Sequence, residues 1–456
     1  MTLQIHVSDF AHGVQASYDD MGLEAGLLRQ AGQHLAGTAI DLEKVLLNPD
    51  LVASTLLDPR GVAKVEEHLL AALDGPHGLV ALALELEARA LGLYASVQLL
   101  KLADEALADL TAALKWGVGY ALGATANLWG PAAYGIWREL SPKAHSELEA
   151  WLVAHAGWVQ EFAGTLPGLL TGLESWLPGP DVPVISLTQG AGMLAALFPN
   201  GRGSATLDNG PGSPDARGVK GLLEQLQVAN LEAQHRVNDL VPAQDPVIQV
   251  HKLVHQNADG SETVSWIVDI PGTSAWDGPG NHSNPTDTSG NLNSMAGNNT
   301  AYQQAILDAM KQAGVEGGQA IMLVGHSQGG MVAVQASSEL VSRGYDVTNV
   351  LTAGSPIGGM HAPSSVHVLS LENTADVVPS LDGASNEATP NHTTVTFTKD
   401  GHTIGINHGI DTSYEAGAAA VDASDDPSLV AWKDSASAFF DPNATTETST
   451  FVVHRG

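Results

Sequence analysis

The sequence has no cysteine and few basic residues, and each shortage excludes a class of chemistry. Without cysteine, the chain can form no disulfide, no thiolate metal site and no cysteine nucleophile. Nineteen Lys and Arg residues stand against fifty Asp and Glu residues, which gives a formal net charge of −31. Because a negative field repels nucleic acids and anionic bilayer surfaces, the composition predicts no nucleic-acid partner.

The amino terminus lacks the features of a conventional secretory signal. It reads MTLQIHVSDFAHG, with neither a basic stretch nor an apolar one. The localisation is therefore left unknown, with a cytoplasmic protein and export by a non-Sec route as the alternatives.

The length of 456 residues predicts two domains, and the first 180 residues have helical periodicity. Apolar side chains recur at alternating spacings of three and four along three seams, which begin at Val14, Leu79 and Leu148. Pro167 should kink or end the third seam. We therefore predict a bundle of long helices over residues 1–180, with His155 as a core histidine rather than a ligand.

Residues 116–137 contain no charged side chain over a length that could span a bilayer. Five glycines, Asn127 and Pro131 disfavour insertion into a membrane. The segment is expected to form a buried helical hairpin, and membrane insertion is the alternative.

The paired seams resemble the helical hairpins carried by substrates of actinobacterial type VII secretion. The resemblance rests on their periodicity and on an alanine-rich composition with few lysines. It implies contact with secretion machinery or a membrane through the helical domain.

The rest of the chain alternates apolar β-runs with helical runs. Residues 181–245 are rich in Gly and Pro and are predicted to connect two domains, with one helix from Val219 to Leu240. Residues 246–456 begin with a hairpin over 247–270 and continue as strands that precede helices. This order predicts an α/β fold with a mostly parallel sheet and helices on both faces. Reactive groups in such sheets gather at the carboxyl ends of the strands.

The stretch Gly325-His326-Ser327-Gln328-Gly329 fits the G-x-S-x-G nucleophile elbow. It lies between an apolar β-run and an amphipathic helix, where the serine hydroxyl can project from the sheet. Glycines flank it because side chains would collide at so tight a turn. Ser327 is the predicted nucleophile, and His326 is expected to be a structural neighbour that points away from it.

A serine nucleophile needs a base and an orienting acid, which follow the elbow in the order acid, then histidine. Asp376 comes directly after the apolar run VHVLSLE, and His408 directly precedes a helical run. Asp382 is the weaker acid candidate. His402 and His392 stay open as rival bases.

Two backbone N–H groups are expected to stabilise the oxyanion of the reaction. One belongs to Gln328, directly after the nucleophile. The other belongs to Thr273, in a loop where Gly272 permits close approach of the backbone.

With these motifs, residues 247 to about 440 resemble the α/β-hydrolases, and most closely the class-3, fungal-type lipases. The motifs that carry the resemblance are Gly272-Thr273, Gly325 to Gly329, Gly354-Ser355-Pro356 and Asp376 to Pro379. The resemblance implies a serine hydrolase that cleaves carboxylic esters of small-molecule or lipid substrates through a Ser327–His408–Asp376 triad, with neither metal nor cofactor.

The sequence departs from that family at two places. The family histidine commonly lies three residues before a tyrosine, whereas Tyr414 lies six after His408. The apolar lid of the family is replaced by a polar segment over 276–300, whose Asn and Asp residues lack the spacing of a cation site.

Two other functions remain open. The helical domain could be the working part of a secreted or membrane-associated interaction protein, with the hydrolase fold as a scaffold. Alternatively, the triad could cleave peptide or thioester bonds.

Overall fold

The structure is a computed structural model, and it describes residues 3–8, 14–74, 78–124, 163–174, 186–196, 198, 200–208, 210, 212–235, 246–275, 283–386 and 389–456. The chain forms two compact units. One consists of residues 11–111, and the other of residues 1–10 together with 112–456. Both edge strands of the sheet come from outside residues 246–456, and the division into domains at residues 180 and 245 stays a prediction.

The helices and strands have the following bounds. The helices are α1 (Val14–Leu46), α2 (Pro49–Ser54), α3 (Pro59–Asp74), α4 (Leu79–Ala124), α5 (Leu166–Glu174), α6 (Leu187–Ala195), α7 (Gly218–His235), α8 (Thr288–Met295), α9 (Ala301–Ala313), α10 (Gln328–Ser342), α11 (Ile404–His408), α12 (Glu415–Asp422) and α13 (Pro427–Ser435). The strands are β1 (Ile5–Ser8), β2 (Gly203–Asp208), β3 (Val247–Gln256), β4 (Glu262–Ile270), β5 (Ala320–His326), β6 (Asp346–Ala353), β7 (His367–Asn373), β8 (His392–Phe397) and β9 (Thr445–Arg455).

The unit of residues 11–111 is helical. The first predicted seam forms α1, a helix of 33 residues. The second predicted seam forms most of α4, a helix of 46 residues. The two helices approach closely at Gly32, where a Cβ atom would lie 3.1 Å from the carbonyl oxygen of Ala83. Most of the third seam, His155 included, lies outside the described residues. Pro167 stands in the first turn of α5, where a residue without an amide hydrogen is tolerated.

Of the uncharged segment 116–137, the structure describes residues 116–124, at the end of α4. This end packs against α5 at a crossing of two buried glycines, Gly119 and Gly168. A Cβ atom on either glycine would overlap backbone of the other helix. Among the helices that the structure describes, none is both long and apolar enough to cross a bilayer.

The second unit is built on a nine-stranded sheet in the order β1-β8-β7-β6-β5-β4-β3-β9-β2. Strands β4 to β8 are parallel to one another, and the other four pairings among the described residues are antiparallel. The prediction of a mostly parallel sheet is thus corrected to a mixed sheet. The reason is that β3 is joined to β4 by a tight hairpin, while β1, β2 and β9 add antiparallel strands at its two ends.

Three strands of this sheet are absent from the prediction. β1 has four residues, β2 lies in the predicted connecting region, and β9 begins with the polar run TTETST. Most side chains of β1, β2 and the first half of β9 are partly buried or exposed, and the apolar alternation that marks a strand is weak there. The predicted hairpin is present, with Gly260 at φ 84° in its turn.

Helices cover both faces of the sheet, as expected for an α/β fold. One face packs on α9 and α10, with a core that includes Tyr302, Ile306, Met310, Met331 and Val332. The other face packs on α7, α12 and α13, with a core that includes Leu222, Leu226, Ala418, Leu429 and Trp432. Helix α7 falls in the predicted connecting region, yet its apolar side is fully buried.

The burial of α7 predicts a clear difference between two leucines of the same helix. Leu222 is fully buried and Leu231 is 40% exposed. We expect Leu222→Ala to lower the free energy of unfolding by about 2–5 kcal/mol, because it leaves a cavity. Leu231→Ala should cost less than about 1 kcal/mol. Urea denaturation measures both, and equal costs would contradict the packing of α7 on the sheet.

Candidate active site

Ser327 stands at a strained turn between β5 and α10. Its backbone has φ 55° and ψ −123°, and it is one of two non-glycine residues with positive φ in the described part of the chain. Its N–H donates to the carbonyl oxygen of Ala353 at 2.9 Å. A Cβ atom on Gly325 or Gly329 would overlap neighbouring backbone, so the turn requires both glycines. The strain of such a residue is held by the surrounding structure and is typical of functional sites.

The buried Asp376 and the partly buried His408 form a hydrogen-bonded pair at the carboxyl edge of the parallel strands. The two atoms Nδ1 of His408 and Oδ2 of Asp376 are 2.7 Å apart. The Asp376 side chain is inaccessible to solvent, whereas that of His408 is 18% exposed. Asn407 helps to join the two loops, because its amide donates to the carbonyl oxygen of Ala375 at 2.8 Å. The bond at Nδ1 leaves Nε2 of the ring for other partners.

Tyr414 is a site residue that the sequence reasoning did not assign. Its hydroxyl donates to Oδ2 of Asp376 at 2.7 Å. Burial, together with the charge of Asp376, raises the pKa of Tyr414 well above its ordinary value, so the hydroxyl stays protonated. Residues 410–414 form one turn of π-helix, which brings this side chain back to the carboxylate. In the sequence, the one signal that could have led to Tyr414 is its position six residues after His408, where the family has a tyrosine three residues after the histidine.

The rival acid and bases make other bonds. Asp382 accepts the N–H of Gly358 at 2.6 Å, and His392 bonds through Nε2 to the hydroxyl of Ser370 at 2.8 Å. His402 is exposed and pairs with Asp400 at 3.1 Å. Within the described residues, none of the three hydrogen-bonds to Asp376 or His408.

His326 does not point away from the site, which corrects the prediction for this side chain. Its Nε2 donates to the carbonyl oxygen of His408 at 2.8 Å. The two imidazole rings also pack together, with centroids 4.5 Å apart. Burial, and then the neighbouring His408, lower the pKa of His326 to about 3. The ring is therefore neutral at pH 7 and supports the backbone of His408.

The predicted oxyanion donors belong to two segments that border Ser327. The N–H of Gln328 opens helix α10, and Thr273 follows Gly272, where a Cβ atom would lie 2.9 Å from Cβ of Ser327. Neither N–H has an acceptor within the described residues. The Thr273 hydroxyl is held by the amide of Asn291, with Nδ2 at 3.0 Å. Two free N–H groups beside a serine form a site for developing negative charge.

The serine hydroxyl itself is not engaged in a hydrogen bond with the described residues. Ser327 is only 7% exposed, because the loop at Gly272 lies against it. A Cβ atom on Gly354 would lie 3.1 Å from Cε1 of His408, so the imidazole borders the end of β6. The N–H of Ser327 is bonded to Ala353, at the end of the same strand. Catalytic hydrogen bonds are often long or absent before substrate binds.

Two further carboxyl groups lie near the Asp376 loop. Burial, followed by the charge of Asp382, raises the pKa of Glu372 to about 7. Burial also raises the pKa of Asp382 to about 6. Among the described residues, no group of three His, Asp or Glu side chains is arranged to hold a metal ion.

One family model matches the chain over this region. Residues 292–421 match a PGAP1-like alpha/beta domain. The matched span includes Ser327, Asp376 and His408, and covers less than a third of the 456 residues. Over these residues it supports an α/β-hydrolase-type superfamily, and it suggests hydrolase activity. No curated protein and no solved structure gives a match.

The hydrogen bond between Tyr414 and Asp376 should contribute measurably to the free energy of unfolding. Tyr414→Phe removes a donor from a buried carboxylate, so we expect the free energy of unfolding to fall by about 1.5–3 kcal/mol. Tyr345→Phe is the matched control, because the Tyr345 hydroxyl makes no hydrogen bond within the described residues. Urea denaturation at pH 7 gives both values. A Tyr414→Phe variant as stable as the control would contradict the contact.

Glu372 should make the stability depend on pH between about 4.5 and 7. Its pKa is raised in the folded state, so over this range the unfolded chain loses the proton first. The contribution of Glu372 to stability is therefore fully present below pH 4.5 and is lost as the pH rises to about 7. Glu372→Gln keeps an acceptor for Asn386 and should reduce the fall in Tm over this range.

The control for this measurement is Glu447→Gln, at an exposed carboxylate on β9. We expect it to keep the pH dependence of the wild type in a thermal unfolding series. If Glu372→Gln showed the same slope as this control, the Glu372 carboxyl would not be the source of the dependence.

Proposed function

We propose that this protein is a serine hydrolase that cleaves carboxylic esters. The observation that carries the proposal is the hydrogen bond between Asp376 and His408, at the strand edge where Ser327 stands on a strained turn. Support also comes from the match to an α/β-hydrolase-type domain over the same residues. The resemblance to class-3 lipases supports the choice of an ester bond.

In the proposed reaction, the Ser327 oxygen attacks the carbonyl carbon of the ester, and its proton passes to Nε2 of His408. The bond between Nδ1 and Asp376 stabilises the imidazolium that forms. The carbonyl oxygen becomes an oxyanion and accepts hydrogen bonds from the N–H groups of Thr273 and Gln328. His408 then donates the proton to the leaving alcohol as the ester C–O bond breaks, which leaves an acyl group on Ser327.

Water completes the cycle. His408 removes a proton from a water molecule, whose oxygen attacks the acyl carbon. The bond from the acyl carbon to Ser327 breaks, and the serine recovers its proton from His408. The products are the free carboxylic acid and the resting enzyme, so no oxidant, metal or cofactor enters the balance.

A second candidate function concerns the helical unit of residues 11–111. Leu56 and Leu57 are 92% and 89% exposed at the turn between α2 and α3. Exposed neighbouring leucines favour a surface that binds another molecule. We propose, as the alternative, that the helices of residues 1–180 form a bundle that contacts a membrane or secretion machinery. Cleavage of peptide or thioester bonds by the same triad is the other alternative.

A fluorophosphonate probe tests the proposed nucleophile. We expect the wild type to be labelled, Ser327→Ala to be unlabelled, and His408→Ala to lose at least about 10³-fold in kcat on p-nitrophenyl esters, because the base is lost. His402→Ala, at the exposed rival histidine, should retain activity. Acyl chains of increasing length then distinguish a lipase from a short-chain esterase.

The same experiment can reject the proposal. A folded wild type that neither labels nor turns over esters would favour the interaction function of the helical unit. Activity of wild type on peptide or thioester substrates, with none on esters, would keep Ser327 as the nucleophile and replace the substrate class.

A further inference from the structure

The penultimate residue of the chain forms a buried ion pair with a residue in the polar segment that follows the oxyanion loop. Nη1 and Nη2 of Arg455 lie 2.7 Å from Oδ2 and Oδ1 of Asp287. The two side chains are 2% and 4% exposed. A bidentate pair between a guanidinium and a carboxylate fixes orientation as well as distance. Because both charges are desolvated, removal of either one reduces the compensation of the other.

The segment that carries Asp287 is tied to the end of β9 and also to the oxyanion loop. The N–H of Arg455 donates to the carbonyl oxygen of Ser283 at 2.5 Å. The N–H of Ser274 donates to the carbonyl oxygen of Thr286 at 3.0 Å, and the two hydroxyls of these residues are 2.6 Å apart. Ser274 directly follows Thr273, so the position of the Thr273 peptide depends on this pairing.

Asp287 also fixes helix α8, which reaches Thr273 from the other side. Its Oδ1 accepts the N–H of Gly290 at 2.8 Å and caps the helix. Asn291 on the same helix bonds to the Thr273 hydroxyl. At Gly290 a Cβ atom would overlap Nε2 of Gln328, so the helix lies directly against the residue that carries the second oxyanion donor.

We propose that Arg455 is a positioning residue for the oxyanion hole, acting through Asp287 on Thr273. This inference rests on the proposed function. Oxyanion donors stabilise the transition state only when they lie within about 2.7–3.1 Å of the place where the negative charge develops. A small displacement of the Thr273 N–H therefore weakens transition-state binding and leaves ground-state binding of the ester largely unchanged.

The test compares Arg455→Lys, Asp287→Asn and the double variant in ester hydrolysis well below their Tm. Lysine keeps the charge but cannot form the two parallel bonds. We expect kcat to fall roughly 10- to 100-fold in each single variant with KM changed less than about twofold, because the loss falls on the transition state. Affinity for a boronic acid that mimics the tetrahedral intermediate should fall by the same factor as kcat. The double variant should lose little more than either single variant, because the two side chains act as one unit.

The control separates positioning from stability. Trp432→Phe removes a bond to the carbonyl oxygen of His367, which lies at the opposite end of the strands from Ser327. It should lower Tm without changing kcat. If the Arg455 and Asp287 variants likewise lost only Tm, the inference would be overturned while Ser327-dependent turnover kept the proposed function intact. A wild type without Ser327-dependent turnover would overturn both.

Discussion

The carboxylate of Asp376 is the constraint on which the candidate site depends. It is a buried charge, and such a charge is tolerated only with a full set of donors. His408 and Tyr414 both reach Oδ2, and the N–H of Val378 donates to Oδ1 at 3.0 Å. The loop after β7, helix α11 and the π-helical turn therefore have to adopt one relative arrangement. In this way the need to compensate one charge determines where the imidazole lies.

The parallel strands bring this carboxylate to the nucleophile. β5, β6 and β7 are neighbouring parallel strands, and they end at His326, Ala353 and Asn373. Because parallel strands end at the same edge, Ser327 and the Asp376 loop emerge side by side, with Gly354 between them. The left-handed φ of 62° at Gly354 and the lack of a side chain leave room for the rings of His408 and Tyr414. Core side chains pack on both faces of the sheet that carries this edge.

Sequence reasoning could predict the parts of the fold and site that local patterns encode. The apolar runs of β3 to β8 predict strands, and the placement of Asp376 and His408 after such runs led to residues that the structure joins. The direction of a side chain is not encoded locally, which is why His326 was wrongly expected to point away and Tyr414 was not assigned. The edge strands β1 and β2 and the first half of β9 have weak alternation, because sheet pairing rather than burial stabilises much of their length. Their antiparallel pairing therefore could not be predicted.

The residues that position the predicted oxyanion donors are distant from those donors in the sequence. Thr273 and Gln328 come from two loops, and the contacts that hold Thr273 come from Asn291 and from the segment at Thr286. That segment is in turn held by Arg455, which lies 168 positions from Asp287. No local pattern can reveal such a pair, because its partners meet only when β9 has entered the sheet beside β3. The pairing of β9 with β3 thus completes the support of the loop that follows β4, and the oxyanion site depends on a contact between distant parts of the same unit.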